Sequence, residues 1–436
     1  MIPIRWQKSV FYTGLLVFST FCSGVRIEIE SIGINPTHLI LPITLAYILV
    51  EFSKNQIKIP LFIDNISLLL YFVWFISLIS TILFSGFPIR SVTGAINFTF
   101  FIFLFIVSRW IMLLSSTDQL IKILLTSNNI SAFIGISCIV IAMITDLPNI
   151  GASYDHVNKL NIATITKSIP SIRSLSIEPN LFGIATASIL SIYIAIYLTW
   201  DRRAQILKVI LFLGLALILS YTRSAFIAIT LAVITMAIIS GRRMVIVRTF
   251  RIGIFVVLSI VVLLALLPDE SSFKKAISYK LGIGIFDFSA GTAIPRLISL
   301  QESLRGFANN PIFGNGIFSA NNTFINPFTG EVTGSAGPIG WLNGQFVQVI
   351  HDSGLLGLVG WVLFYFLLFN SNYTLYKRLP PSLERSIVLG FIGGNLVILI
   401  GSQASSIVWL AFPFVYWAIN LTVIQNFRNQ PNQRTS

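Results

Sequence analysis

Of the 436 residues, 55% are hydrophobic and only 10% are charged, and the mean hydropathy is +0.84, a make-up that excludes an ordinary soluble domain. The net charge of +13 falls in short clusters between apolar runs, the pattern of a membrane-topology signal and not of a nucleic-acid surface. The chain reads as an all-α polytopic membrane protein.

Apolar segments long enough to cross a hydrocarbon core lie near 9–24, 37–52, 65–85, 94–115, 129–146, 180–199, 205–220, 224–240, 252–268, 345–370, 386–404 and 406–424. That predicts about 12 transmembrane helices. The first follows the basic start MIPIRWQKS without a small-x-small cleavage site, so it reads as a retained span and not a signal peptide. Cys22 and Cys138 fall inside apolar stretches and read as small core hydrophobes.

With the amino terminus in the cytoplasm, roughly eighteen of the 29 basic residues lie on the inner side, among them Arg202, Arg203, Arg242, Arg243, Lys377 and Arg378. Both termini then face the cytoplasm, and two long loops, near 147–179 and 269–344, face outward. Three regions follow: 1–268 with nine spans and the first outer loop, 269–344 as the large outer loop, and 345–436 with three spans and a cytoplasmic tail.

The large loop has a helical pattern of its own. Pro295 suits a first helical turn, and Asn309, Asn310 and Pro311 would end the helix. Leu297, Leu300, Leu304 and Phe307 recur at spacings of three and four, predicting an amphipathic helix along the membrane surface. On a helical wheel Arg296 lies within roughly 40° of Leu300 and Phe307, which turns it toward protein or membrane, with Arg305 toward water. The GNG at 314–316 reads as irregular loop.

No phosphate-binding GxxxxGK[ST], dinucleotide-binding turn, HExxH or metal-ligand spacing of Cys and His is found, so neither cofactor nor metal is expected. No Asp, Glu, Lys or Arg sits in the middle of a predicted span, Asp64 and Arg109 lying near cytoplasmic ends. Helices broken at mid-membrane depth and internal repeats, the marks of a flippase or transporter of lipid-linked sugars, are not evident either.

The ionisable groups gather on the outer side. Arg223, in SYTRS, occupies a tight outer turn where topology has no use for a cation; it is either a snorkelling arginine or an anion ligand. Arg296 has the same two readings, lipid anchor or anion ligand. Arg173, Glu178 and Asn180 stand in RSLSIEPNLFG, where the first outer loop enters a span, and Glu178 also suits a helix start before Pro179. The span after the large loop opens NGQFVQVIHDSG, with Gln345, Gln348 and Asp352 at i, i+3 and i+7 beside His351, too polar for a face that meets lipid alone. His351 is either a reacting group or a satisfied histidine of the bundle. Arginine's planar fork matches phosphate oxygens and keeps its charge when partly desolvated, so such a cluster suits a lipid-borne diphosphate.

These features resemble the family of O-antigen polymerases and O-antigen ligases. The resemblance covers about 170–360 and rests on IEPNLFGIA, SYTRSAFIAI, IPRLISLQESLRGFANNPIFGNGIF, and NG followed by nine residues and GLLG. It implies a multi-pass protein of the bacterial inner membrane with its site facing the periplasm, and a metal-independent inverting glycosyltransferase of O-antigen or exopolysaccharide synthesis. Arg223 and Arg296 would hold the diphosphate, Asn343, Glu178 or His351 would orient or deprotonate the acceptor, and Arg173, Glu178 and Asn180 would bind substrate. The implied partners are a polyprenyl-diphosphate-linked oligosaccharide, membrane lipid, and chain-length regulator and flippase proteins. One departure favours polymerase over ligase: the ligase motif has a His eleven positions before the first Gly of GxxG, and here that position holds Asn343. His351 lies eight residues further on, about 12 Å along a helix axis, and is no substitute.

Overall fold

The computed structural model describes residues 4–25, 27–29, 32–55, 60–145, 152–153, 171–200, 203–241, 247, 293–320, 324–325, 332–333, 342–404 and 410–429. The described residues form twelve helices: α1 (Ile4–Thr20), α2 (Pro36–Lys54), α3 (Asn65–Phe84), α4 (Pro88–Met112), α5 (Thr117–Thr145), α6 (Pro179–Thr199), α7 (Ala204–Leu219), α8 (Arg223–Ser240), α9 (Ala293–Asn309), α10 (Gln345–Arg378), α11 (Leu383–Gly401) and α12 (Ala411–Asn429). Eight of them, α2 to α6, α8, α10 and α11, are long and apolar enough to cross a membrane. The protein is thus an all-α polytopic membrane protein. Eleven of the expected spans fall on helices, and the one near 252–268 lies outside the described residues. Three two-stranded antiparallel hairpins decorate the connections: β1 (Ile27–Ile29) with β2 (Ile32–Ile34), β3 (Ala152–Ser153) with β4 (Ser171–Ile172), and β5 (Phe324–Ile325) with β6 (Val332–Thr333).

The core lies between α6 and α11, flanked by α8 and α10. Lipid tails are as apolar as leucine, so helices in a membrane associate through close packing and hydrogen bonds. Gly390 provides both: a methyl there would lie 2.6 Å from the Ile192 backbone, and its carbonyl accepts a 2.9 Å bond from Ser191 Oγ.

At the end that the basic residues assign to the inside, Arg109 of α4 is 3% exposed and closes a clamp. It pairs with Asp64, donates to Ser67 Oγ (2.8 Å) and to Gln425 Oε1 (3.0 Å), and stacks over the Phe62 ring at 4.0 Å. Asp64 also caps α3, accepting from Ser67 N at 3.0 Å. Three helices, α3, α4 and α12, are tied by one guanidinium.

One helix, α10, is interrupted, at Gly354 (φ 61°, ψ −154°). The 34-residue element spans about 51 Å, well beyond a hydrocarbon core of about 30 Å, while the part after Gly354 covers about 36 Å and suffices to cross. The break therefore lies at the outer margin and not at mid-depth. The segment after α9 fills it: Leu355 and Leu356 N–H donate to the carbonyls of Pro311 (2.9 Å) and Ile312 (3.2 Å), and Asn315 and Gly316 N–H donate to those of His351 (2.8 Å) and Asp352 (3.0 Å). Gly314 (φ 77°) faces Gly354, and a Cβ on Gly354 would lie 2.6 Å from the Ile312 carbonyl oxygen. What the sequence shows as irregular loop is a wedge whose backbone replaces the missing helical hydrogen bonds.

Candidate functional site

The wedge packs against α3, α9 and α10, with the Gly316 and Ile317 amides donating to Ser80 Oγ (2.8 Å) and Thr81 Oγ1 (3.1 Å), while the sequence-predicted site residues stand at the starts of α6 and α8, in the first turn of α9 and before α10. Arg223 is the first residue of α8, held by the buried turn before it: Thr222 Oγ1 donates to the Pro179 carbonyl at 3.0 Å, and Ser220 Oγ to that of Leu217 at 2.7 Å. The first bond sets the start of α6, with Glu178 at its N-cap and Asn180 in its first turn, against the start of α8. Glu178 is exposed and makes no side-chain cap bond. Tyr221 in the same turn has its backbone in the left-handed region (φ 52°), and burial pushes its phenol up to about 12, so it stays protonated.

Arg296 lies in the first turn of α9, and its Nη2 is 3.5 Å from the Ala404 carbonyl oxygen at the outer end of α11. Its guanidinium is open to solvent on one side and covered by protein on the other. This partial burial, and after it the positive charge of Arg223, draw it below the usual arginine range. The two arginines that the sequence singles out thus lie within each other's field. Asn343 joins them: its N–H and its Nδ2 reach Ser299 Oγ, one turn from Arg296 on α9, at 3.1 and 3.5 Å.

Of the two facings the wheel allows for the leucines of α9, protein or membrane, the structure turns them away from the protein. The face against the protein consists of Ile298, Ser299, Glu302, Ser303 and Gly306, whereas Leu300 and Leu304 are 45% and 57% exposed. Ser303 Oγ donates to the Val347 carbonyl at 2.7 Å, so small and polar groups make the helix contact and leucines are left outward. In a membrane, apolar side chains gain nothing by turning inward, and polar ones need partners. Arg296 consequently sits at the border of the packed face and not within an apolar one; Arg305 is exposed, paired to Glu302 at 3.2 Å.

His351 lies about two turns deeper than Asn343. It is 3% exposed, its Nδ1 lies 2.9 Å from Asp352 Oδ1, and its ring packs on Gly306 so closely that no side chain fits there. Asp352 Oδ2 accepts from Gln348 Nε2 (2.7 Å) and Phe318 N (3.2 Å), and Gln348 Oε1 accepts from Leu342 N. The polar i, i+3, i+7 spacing is therefore an internal network that ties the wedge to the corner before α10. Arg173 donates to the Ile177 carbonyl (3.5 Å) within its own loop, and its charge reaches Cys138 of α5.

Several supporting residues escape sequence reasoning. Ser299, Ser402 and Tyr365 carry no motif, and Gln345, read only as polar, is 0% exposed, its Oε1 taking bonds from Tyr365 Oη (3.1 Å) and Ser402 Oγ (2.7 Å). A small residue every three or four positions along 299–306 was the available signal for the packed face of α9.

No curated protein matches the chain. The O-Antigen ligase family model matches residues 207–362, a stretch that runs from α7 into α10 and includes Arg223, Arg296, Asn343 and His351, while Arg173, Glu178 and Asn180 precede it. The match covers about a third of the chain and supports membership of the O-antigen polymerase and ligase family, in keeping with a multi-pass membrane protein that processes glycans.

Proposed function

We propose that the protein polymerises lipid-linked repeat units of a surface polysaccharide at the periplasmic face of the bacterial inner membrane. The observation that supports this most is that Asn343 bonds to Ser299, one turn from Arg296 on α9, while Arg296 lies in the field of Arg223. Two like charges brought together at a membrane face repel, and an anion with several oxygens, such as a diphosphate, turns that repulsion into binding.

In the reaction, a hydroxyl of the acceptor repeat unit attacks the anomeric carbon of the donor glycan. A C–O bond forms as the bond to the polyprenyl diphosphate breaks, and the leaving oxygen keeps the electron pair. Arg223 and Arg296 neutralise the charge that grows there, in the manner of an oxyanion site. The hydroxyl proton passes to the exposed carboxylate of Glu178, and Asn343 orients the hydroxyl. His351, buried on Asp352, acts through the corner of α10. Direct attack inverts the anomeric centre.

Purified protein and lipid-linked repeat unit test this. In the Arg223→Ala, Arg296→Ala double variant chain growth falls by about 10² to 10³ or more, and chelator leaves the wild type active; unchanged growth in the variant refutes the proposal. The family model carries the description of a ligase, which favours a second reading, transfer of finished glycan to a different acceptor. A strain lacking the protein separates the two: surface chains capped at one repeat unit mean polymerase, and long chains stranded on the carrier mean ligase.

A further inference from the structure

Both halves of the candidate site hang from one turn that lies beyond the family match. Gly344, the N-cap of α10, has no side chain and makes no cap bond, so the first amides of α10 must find partners elsewhere. They find them at 402–404. Gln345 N donates to the Ser402 carbonyl at 2.8 Å, and Phe346 N donates to Gln403 Oε1 at 3.2 Å. The Gln403 side chain is fixed at its other end, where Nε2 donates to the Leu399 carbonyl (2.9 Å) and to Ser402 Oγ (3.2 Å). Gly344 (φ 102°) lies so near that a Cβ would stand 3.0 Å from the Gln403 carbonyl oxygen. The next residue in this turn, Ala404, presents its carbonyl to Arg296.

We propose that Gln403 is a positioning residue of this site. As a helix cap supplied by a different helix, it fixes the corner Asn343–Gly344, and because its own turn holds Arg296 through Ala404, it sets the spacing between the acceptor-side amide and the diphosphate-side guanidinium. This role rests on the glycan-transfer reading above. It explains why two adjacent residues of one short turn contact α10 and α9 separately. Small misplacement of reacting groups is costly, a shift of about 1 Å reaching about 10²-fold in rate, so a cap distant from the chemistry can govern it.

The test uses the full-length protein in lipid nanodiscs, with Gln403→Ala removing the cap and Gln403→Glu keeping an acceptor oxygen at a helix start, where a carboxylate is favoured. Phenylglyoxal labelling of Arg296, followed by mass spectrometry, reports its anchoring without reference to activity, and Arg305 on the same helix is the control. In Gln403→Ala, Arg296 labels about threefold or more faster while Arg305 is unchanged, and glycan transfer per folded protein falls about tenfold; Gln403→Glu, which keeps the acceptor oxygen but loses the amide's donation to Leu399, restores the labelling in part. Unchanged Arg296 labelling in Gln403→Ala, a rise shared equally by Arg305, or failure of Gln403→Glu to restore labelling overturns the proposal. Wild-type protein that joins no repeat units, with the labelling pattern as described, instead sinks the polymerase reading and leaves the positioning of Arg296 intact.

Discussion

Arg109 at the inner end and Arg296 at the outer end are the same side chain in opposite circumstances. Arg109 is buried, faces a carboxylate, donates to a hydroxyl and an amide oxygen, and has an aromatic ring beneath it. Arg296 is open on one side, reaches, among the described residues, a single carbonyl at 3.5 Å, and has a second arginine in its field. The first arrangement uses up guanidinium donors to hold three helices together. The second leaves donors for something that arrives from outside. Partnering, more than position in the sequence, distinguishes the two arginines of this bundle.

That contrast is breakable in graded steps. The largest effect is on chemistry: loss of both outer arginines costs about 10² to 10³ in transfer rate, equivalent to about 3–4 kcal/mol, with thermal stability in detergent unchanged within about 0.5 kcal/mol. A comparable fall in melting temperature would make them structural after all. Next, Gly354→Ala strains a backbone conformation that L side chains rarely adopt and drives a methyl against the wedge; a loss of about 3 kcal/mol in stability is expected, together with activity, because the wedge joins α9 to α10.

Removal of the inner arginine should reverse the outer pattern. Arg109→Ala leaves Asp64 without its counter-charge, and since Asp64 is 41% exposed the usual cost of breaking a buried pair is discounted to about 2 kcal/mol. Transfer per folded protein should remain near wild type, and a selective loss of activity would erase the distinction between the two ends. The smallest effect is acid sensitivity. Burial pushes the Asp64 carboxyl up, but the Arg109 charge and hydrogen bonds from Arg109 and Ser67 outweigh it, leaving the group below its ordinary value of 3.8. A carboxylate held low contributes stability above that ordinary value and loses it as pH falls through the folded value. Wild type should therefore lose its advantage over Asp64→Asn below about pH 4, and parallel melting curves across that range would deny the linkage.

Much of this was legible in the sequence. Hydropathy places the spans because every backbone group in hydrocarbon must bond internally, which leaves helices as the solution for long apolar runs. Arg223 was legible as a cation in an outer turn, and Arg296 as part of a helix between Pro295 and Asn309. The facing of α9 was legible only in part, since the wheel groups its leucines but leaves protein and membrane as alternatives, and beside a membrane apolar side chains need not seek the protein. The break at Gly354 was equally hidden: a glycine in an apolar helix signals close packing, and only the wedge at 311–316, some forty residues earlier, reveals that the helical ladder is interrupted. Nor does sequence reveal a cap lent by another helix, as with Gln403.

The wedge also sets a rule for anyone exchanging outer loops between proteins of this kind to alter which glycans they process. Side chains along 311–316 are open to replacement where they point away from α10, but the Gly314–Gly316 backbone and Gly354 interlock as one part. A donor loop spliced in without its own matching glycine on the recipient helix would leave exposed amide and carbonyl groups at the rim of the bilayer, so the two pieces must travel together.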